Sequence, residues 1–278
     1  MKTVEANGVQ FACLEAGAAT APLVLLVHGF PDTAHTWDRA LPALADAGFR
    51  AVAPFTRGYH PTSIPADGDY GTETLGKDLL ALIEGLGAKH AVVVGHDWGA
   101  NAAYAAAAMA PERVKLLVTF AIPHPRSIKP SPKLLWLMRH FVTLRRRGAA
   151  ARMLRDELAY VDVLVRRWSP GWQDMPASET EPVKQAFAEP GCLDAALGYY
   201  RALERKLPPA LRQQILVPTV AFAGETDIIA PRAYERARHC FSGSYEVVQV
   251  PGGHFMHREH PDHVIPELVR VIREHAAA

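Results

Sequence analysis

At 278 residues, 49% of them apolar and 21% charged, the chain is ordinary for a soluble globular protein and long enough for one large domain with an inserted subdomain. A formal charge of +1 leaves no nucleic-acid footprint, and the run Arg145-Arg146-Arg147 reads as a solvated helix face or loop. Cys13, Cys192 and Cys240 are widely spaced without a CxxC pair, which excludes a disulfide framework or zinc site and suits buried thiols in a reducing compartment.

The residues from Met1 to Gly8 run straight into strand-and-turn sequence, without the apolar core of a signal peptide. No stretch is apolar enough to span a bilayer, so a cytoplasmic location is expected. Thr3-Val4-Glu5 and Val9-Gln10-Phe11-Ala12 flank Asn7-Gly8 and predict a hairpin. Strands are then expected at Leu23–Val27, Ala51–Ala53, Ala91–Val94, Leu116–Phe120, Thr219–Ala223 and Glu246–Val248. Their continuous apolar character fits a mostly parallel sheet buried on both faces. Helical periodicity links Leu75, Leu79, Leu82, Ile83 and Leu86, and later Val264, Leu268, Val271 and Ile272. The alanine-rich stretch from Ala100 to Ala110 reads as a helix ending at Pro111. Residues 124–213 break the alternation, with helical patterns, Trp136, Trp168, Trp172 and many prolines but no convincing strand. They are expected to form a helical cap between two parts of an α/β core, residues 1–123 and 214–278, with most of its aromatic rings, Trp136, Phe141, Trp168, Trp172, Phe187, Tyr199 and Tyr200, in the cap's own core.

The most informative segment is Gly95-His96-Asp97-Trp98-Gly99, set between the strand at Ala91–Val94 and the alanine-rich helix. A strand, a tight turn and a helix are the context of a nucleophile elbow, with glycines where neighbouring Cβ atoms find no room. Aspartate at the apex changes the chemistry that serine would do there. A carboxylate attacking an acyl group gives only a reactive anhydride, whereas at a saturated carbon bearing a leaving group it gives a covalent ester. Epoxides and alkyl halides are the obvious targets. An aspartate with an ordinary pKa of about 3.9 is ionised at neutral pH and needs no base to activate it.

Taken with His28-Gly29-Phe30-Pro31-Asp32, Arg57-Gly58-Tyr59, Pro111-Glu112-Arg113-Val114, Gly224-Glu225-Thr226-Asp227 and Gly253-His254-Phe255, this elbow resembles the α/β-hydrolases. The resemblance is to the branch containing epoxide hydrolases and haloalkane dehalogenases, and it is nearer to the epoxide hydrolases. It implies an α/β-hydrolase fold with a mostly parallel eight-stranded sheet flanked by helices. It also implies a triad in the order nucleophile Asp97, acid Asp227, base His254, with backbone N–H donors at Phe30 and Trp98 forming an oxyanion hole. His254 would activate the water that hydrolyses the ester, and Asp227 would orient the imidazole. Glu225 is the weaker choice of acid, being expected to face away from the site. His257 and His260 read as surface or helix-entry histidines. No cofactor, metal or macromolecular partner is implied, only a small-molecule substrate and water; the oligomeric state is not readable.

The leaving group decides the activity. An opening epoxide releases an alkoxide and needs a proton donor beside it. Tyr200, in Tyr199-Tyr200-Arg201, matches the epoxide-polarising tyrosine of epoxide hydrolases, while Tyr199 reads as a packing residue. A second cap tyrosine is common in those enzymes, and its position falls near His140 here. Three readings follow: His140 is a second ring-opening donor, or Tyr200 works alone, or Tyr160 takes the role. The dehalogenase alternatives use the same triad. However, haloalkane dehalogenases pair the tryptophan after the nucleophile with a second side-chain donor where this chain has Phe30. Haloacetate dehalogenases place arginines where it has Trp98 and Asn101. An uncharged, apolar epoxide is therefore the expected substrate. A non-catalytic ligand receptor on this fold remains the alternative from another class, set against a triad that is complete.

Overall fold

The computed structural model describes residues 1–129, 131–204 and 206–276. Its strands are β1 (Lys2–Ala6), β2 (Val9–Ala16), β3 (Leu23–Val27), β4 (Arg50–Pro54), β5 (Ala91–His96), β6 (Val114–Phe120), β7 (Thr219–Gly224) and β8 (Tyr245–Val250). All eight belong to one sheet in the order β1-β2-β4-β3-β5-β6-β7-β8. β1 and β2 form the expected antiparallel hairpin, turned at Asn7 and Gly8 with φ of 45° and 74°. β2 pairs antiparallel with β4, and every later pairing is parallel. β3, β4 and β5 are buried at every position, as their apolar runs require of strands covered on both faces; Arg50 at the start of β4 and His96 at the end of β5 are buried polar residues. β8 lies at the edge and is only partly buried.

Three helices, α1 (Ala40–Asp46), α2 (Thr72–Gly85) and α3 (Trp98–Met109), cross between the first parallel strands. Leu75, Leu79, Leu82 and Ile83 of α2 are buried at the spacing read from the sequence. Burying one such side chain contributes roughly 1.5–3 kcal/mol.

Arg57, in the loop after β4, is a tie the sequence did not announce. Its Nε and Nη2 both donate to Asp78 of α2, each at 2.7 Å. Asn7 at the hairpin turn also donates to Asp78, at 2.7 Å, and its carbonyl accepts from Arg57 Nη2 at 3.1 Å. One buried bidentate pair thus fastens the hairpin, the loop after β4 and α2 together.

Between β6 and β7 the described residues form helices and turns with no strand: α4 (Pro132–Leu137), α5 (His140–Leu144), α6 (Ala149–Met153), α7 (Ala159–Trp168), α8 (Glu181–Ala188), α9 (Cys192–Arg201) and α10 (Pro209–Arg212). Trp168, Trp172, Phe187, Tyr199 and Tyr200 are buried there. Trp136 departs from the expected aromatic core: it is 62% exposed, with the Arg139 guanidinium 4.0 Å above its ring. Here α4 turns its tryptophan outward and the arginine stem and head group cover it. Arg145, Arg146 and Arg147 are exposed, and all three cysteines are buried free thiols.

The chain closes with α11 (Arg232–Arg236), α12 (Met256–Glu259) and α13 (Pro261–Ala276), in which Val264, Leu268, Val271 and Ile272 are buried. No helix among the described residues is long and apolar enough to cross a membrane.

Candidate active site

The parallel strands end at one edge of the sheet, the usual place for a ligand crevice in an open α/β sheet. β5 delivers Asp97, its neighbour β3 delivers Phe30, β7 delivers Asp227 and β8 delivers His254. Asp97 occupies the turn between β5 and α3 with φ 54° and ψ −117°. Such a backbone costs a side-chain-bearing residue on the order of 1–3 kcal/mol and persists only where its surroundings enforce it. The enforcement is close packing: a Cβ on Gly95 would lie 2.4 Å from the Gly99 carbonyl oxygen. At Gly29 a Cβ would lie 2.4 Å from Asp97 Oδ1 and 2.6 Å from the Trp98 nitrogen. The missing side chain lets the carboxylate rest against the backbone, where the Phe30 N–H donates to Asp97 Oδ1 at 2.9 Å.

His254 lies between two carboxylates. Its Nε2 is 3.5 Å from Asp97 Oδ2, and its Nδ1 is 3.3 Å from Asp227 Oδ1. Burial would make the imidazole less basic, but the charges of Asp227 and Asp97 outweigh it and hold His254 at about 10. Burial raises the carboxyl of Asp97, yet His254 and the Phe30 N–H bring it below its ordinary value. For Asp227 burial wins over the pull of His254, and its carboxyl sits above the ordinary value. Glu225 is exposed and takes no part.

Four contacts fix the His254 loop, and two come from the helical segment. The Trp168 carbonyl accepts the His254 N–H at 2.9 Å, and Ser169 Oγ accepts the Phe255 N–H at 3.0 Å. His96 Nε2–H donates to the His254 carbonyl at 2.9 Å, and Glu259 accepts the Gly253 N–H at 2.7 Å. Of the two readings of His257, surface or helix entry, the structure has the second: it lies in the first turn of α12 and is 1% exposed. It enters α12 pointing inward, against the Trp37 ring at 4.7 Å and with Nε2 2.7 Å from Thr36 Oγ1. With His96 and Asp32 it forms a buried group among the described residues in which each offers one possible ligand atom within 4.8 Å of the others. Asp32 is already committed to Arg258, at 3.2 Å.

A chamber of about 470 Å³ meets the triad. Asp97, Trp98, His140, Phe141, Trp168 and His254 line its inner part, and exposed Lys77, Glu204 and Lys206 lie on its wall toward solvent. Tyr200 is not on the wall. It is 1% exposed and packs edge-on against Trp98, Phe30 and Phe141, with ring centroids 5.1, 5.2 and 5.1 Å away. Burial, and then the charge of Asp97, push its phenol well above the ordinary value. Tyr199 spends its hydroxyl on the Arg57 carbonyl at 2.9 Å, and Tyr160 is half-buried away from the chamber wall.

The family model described as alpha/beta hydrolase fold matches residues 22–261. The chain belongs to the alpha/beta-hydrolase fold family. Within this family it is 32% identical to the AB hydrolase superfamily protein YfhM of Bacillus subtilis, over 93% of this chain and 92% of that one. It is 30% identical to Epoxide hydrolase A of Mycobacterium tuberculosis, over 98% of this chain and 96% of the relative. The crystal structure of Epoxide Hydrolase A from Mycobacterium thermoresistibile superposes with a TM-score of 0.81 at 26% identity, covering 98% of this chain and 97% of that one.

Proposed function

We propose that this hydrolase opens an uncharged epoxide to a vicinal diol through a covalent ester on Asp97. The observation that carries the reading is the placement of one carboxylate on a strained elbow, with Oδ1 on the Phe30 N–H and Oδ2 facing His254 Nε2 at 3.5 Å. The names of the relatives point the same way. In this account Asp97 attacks an epoxide carbon, the carbon–oxygen bond of the ring breaks, and the released alkoxide takes the proton of Tyr200, which packs behind the wall residues Trp98 and Phe141 and reaches the substrate by turning its hydroxyl into the chamber. The phenol's raised pKa keeps that proton in place until the ring opens.

Esterification removes the negative charge of Asp97, one of the two that make His254 a strong base-holder of protons. His254 then gives up its proton as Tyr200 is restored, and stands neutral. Neutral His254, steadied by Asp227, takes a proton from water as the water adds to the carboxyl carbon of the ester. The Phe30 and Trp98 N–H groups receive the charge that builds on the carboxyl oxygen; collapse breaks the ester carbon–oxygen bond, and the departing alkoxide takes the proton of the newly formed carboxyl, leaving the diol, ionised Asp97 and protonated His254.

Residues 124–213 act as the cap over this chemistry, with 1–123 and 214–278 as the core. His140 and Trp168 on the chamber wall, and the Trp168 carbonyl on the His254 N–H, support that division. Aryl and alkyl epoxides, haloalkanes and haloacetate, assayed in parallel for diol and free halide, test the reading. Diol without halide is the expected result; halide without diol would make the chain a dehalogenase and end the proposal.

A further inference from the structure

We infer that the chamber contains an acceptor subsite, formed by Nε2 of His140, that selects epoxides carrying a hydroxyl or N–H donor close to the ring. The inference rests on the epoxide reading above and assigns His140 a role different from a second ring-opening donor.

His140 Nδ1 lies 3.2 Å from the Leu137 carbonyl oxygen, which can only accept. The proton of a neutral imidazole is therefore on Nδ1, and Nε2 presents a bare lone pair. Burial keeps the ring neutral, lowering its pKa to about 4, so protonation does not reverse the assignment at neutral pH. The ring lines the chamber, and no hydrogen bond from the described residues reaches Nε2. Trp168, with its ring centroid 4.7 Å away, does not cap it, since the indole N–H makes no hydrogen bond.

A bare lone pair cannot hand a proton to an opening epoxide oxygen. It can accept one from a ligand. Around it the wall is largely apolar, with Met138, Phe141 and Trp168. A substrate donor placed there gains a partner that an apolar substrate would leave unused. The position also sets how far the donor lies from the epoxide. The His140 and Tyr200 rings are 6.2 Å apart between centroids, so a group on His140 and an epoxide oxygen served by Tyr200 belong to one compact molecule. A 2,3-epoxy alcohol is the shortest member of that class.

The test compares 3-phenylglycidol with the epoxide in which its hydroxyl is replaced by hydrogen, measured as kcat/KM for diol formation. Wild type and His140→Phe are assayed side by side, so the intrinsic reactivities of the two epoxides cancel. His140→Phe is expected to reduce the preference for the alcohol about tenfold, the effect of one net hydrogen bond. The deoxy compound, which has no donor for Nε2, is the internal reference that carries any general effect of the larger phenyl ring. An unchanged preference would overturn the subsite alone. Equal slowing of both epoxides would overturn it in favour of His140 as a ring-opening donor. Absence of diol from either epoxide and from the wider substrate panel would remove the epoxide reading and the subsite with it. Independently of any variant's folding, the nitrogen shifts of isotope-labelled wild-type His140 must be pyridine-like at Nε2; a pyrrole-like Nε2 would overturn the proposal.

Discussion

Asp97→Asn removes one of the two charges beside His254 while nearly preserving the shape of the side chain. The Asp97 carboxylate lies 3.5 Å from His254 Nε2. At an effective dielectric constant of about 20, two unit charges at that separation interact by about 5 kcal/mol. Each 1.36 kcal/mol is a tenfold change in proton affinity, so losing the charge should lower the pKa of His254 by about three, to near 7. The wild-type value is about 10, held up by both Asp227 and Asp97. In the proposed mechanism esterification neutralises the same carboxylate, so the variant would report the basicity of His254 at the step in which it is proposed to activate water. The assay is an NMR titration of isotope-labelled histidine in both proteins, with intact mass verifying that the amide persists. The stability profiles should diverge as well. A raised folded-state pKa gives stabilisation that is complete below the unfolded value of about 6.5 and disappears as pH climbs through the folded value. The wild type should therefore lose stability between about pH 6.5 and 10, and Asp97→Asn much less over that window. Equal His254 midpoints in the two proteins would refute the electrostatic reasoning.

Asp78→Ala should leave the buried Arg57 with only the exposed Asp67 carboxylate, 3.3 Å from its Nη1, as a charged partner, costing about 3–5 kcal/mol and lowering the melting temperature by roughly 10 °C. Its kcat should remain within a few fold of wild type; an unchanged melting curve would show that the buried pair contributes nothing to the fold. Tyr200→Phe should slow ester formation about 10²–10⁴-fold in single-turnover experiments, the usual contribution of a positioned acid. Hydrolysis of the preformed ester should be much less affected, and equal slowing of both steps would assign Tyr200 to packing.

The parts of this molecule legible in the sequence are those whose causes are local. The elbow could be read because its strand, its glycines and its helix occupy consecutive residues, and Asp97 has the backbone geometry that the pattern implies. The sheet could be read because β3, the Ala51–Pro54 part of β4 and the Ala91–Val94 part of β5 are continuous apolar runs covered on both faces. The unread parts depend on pairings distant in the chain. Nothing local to Arg57 announces Asp78, and nothing local to Trp168 announces that its carbonyl will hold the His254 N–H. His257 sits in a polar stretch that reads as surface, yet Trp37 and Thr36, far away in sequence, enclose it. Trp136 shows the opposite error: a large ring suggested a core, but Arg139 one helical turn on covers it at the surface. His140 was found as a position, whereas its tautomer depends on the Leu137 carbonyl and could be seen only in three dimensions.

The central claim is that Asp97 carries a covalent ester whose release requires His254. The most direct measurement is the intact mass of His254→Ala after incubation with an epoxide substrate, followed by peptide mapping. The account predicts a gain equal to the mass of the epoxide, located on the peptide containing Asp97 and persisting after the free epoxide is removed. Normal diol turnover by His254→Ala, or an adduct on a different residue, would contradict it.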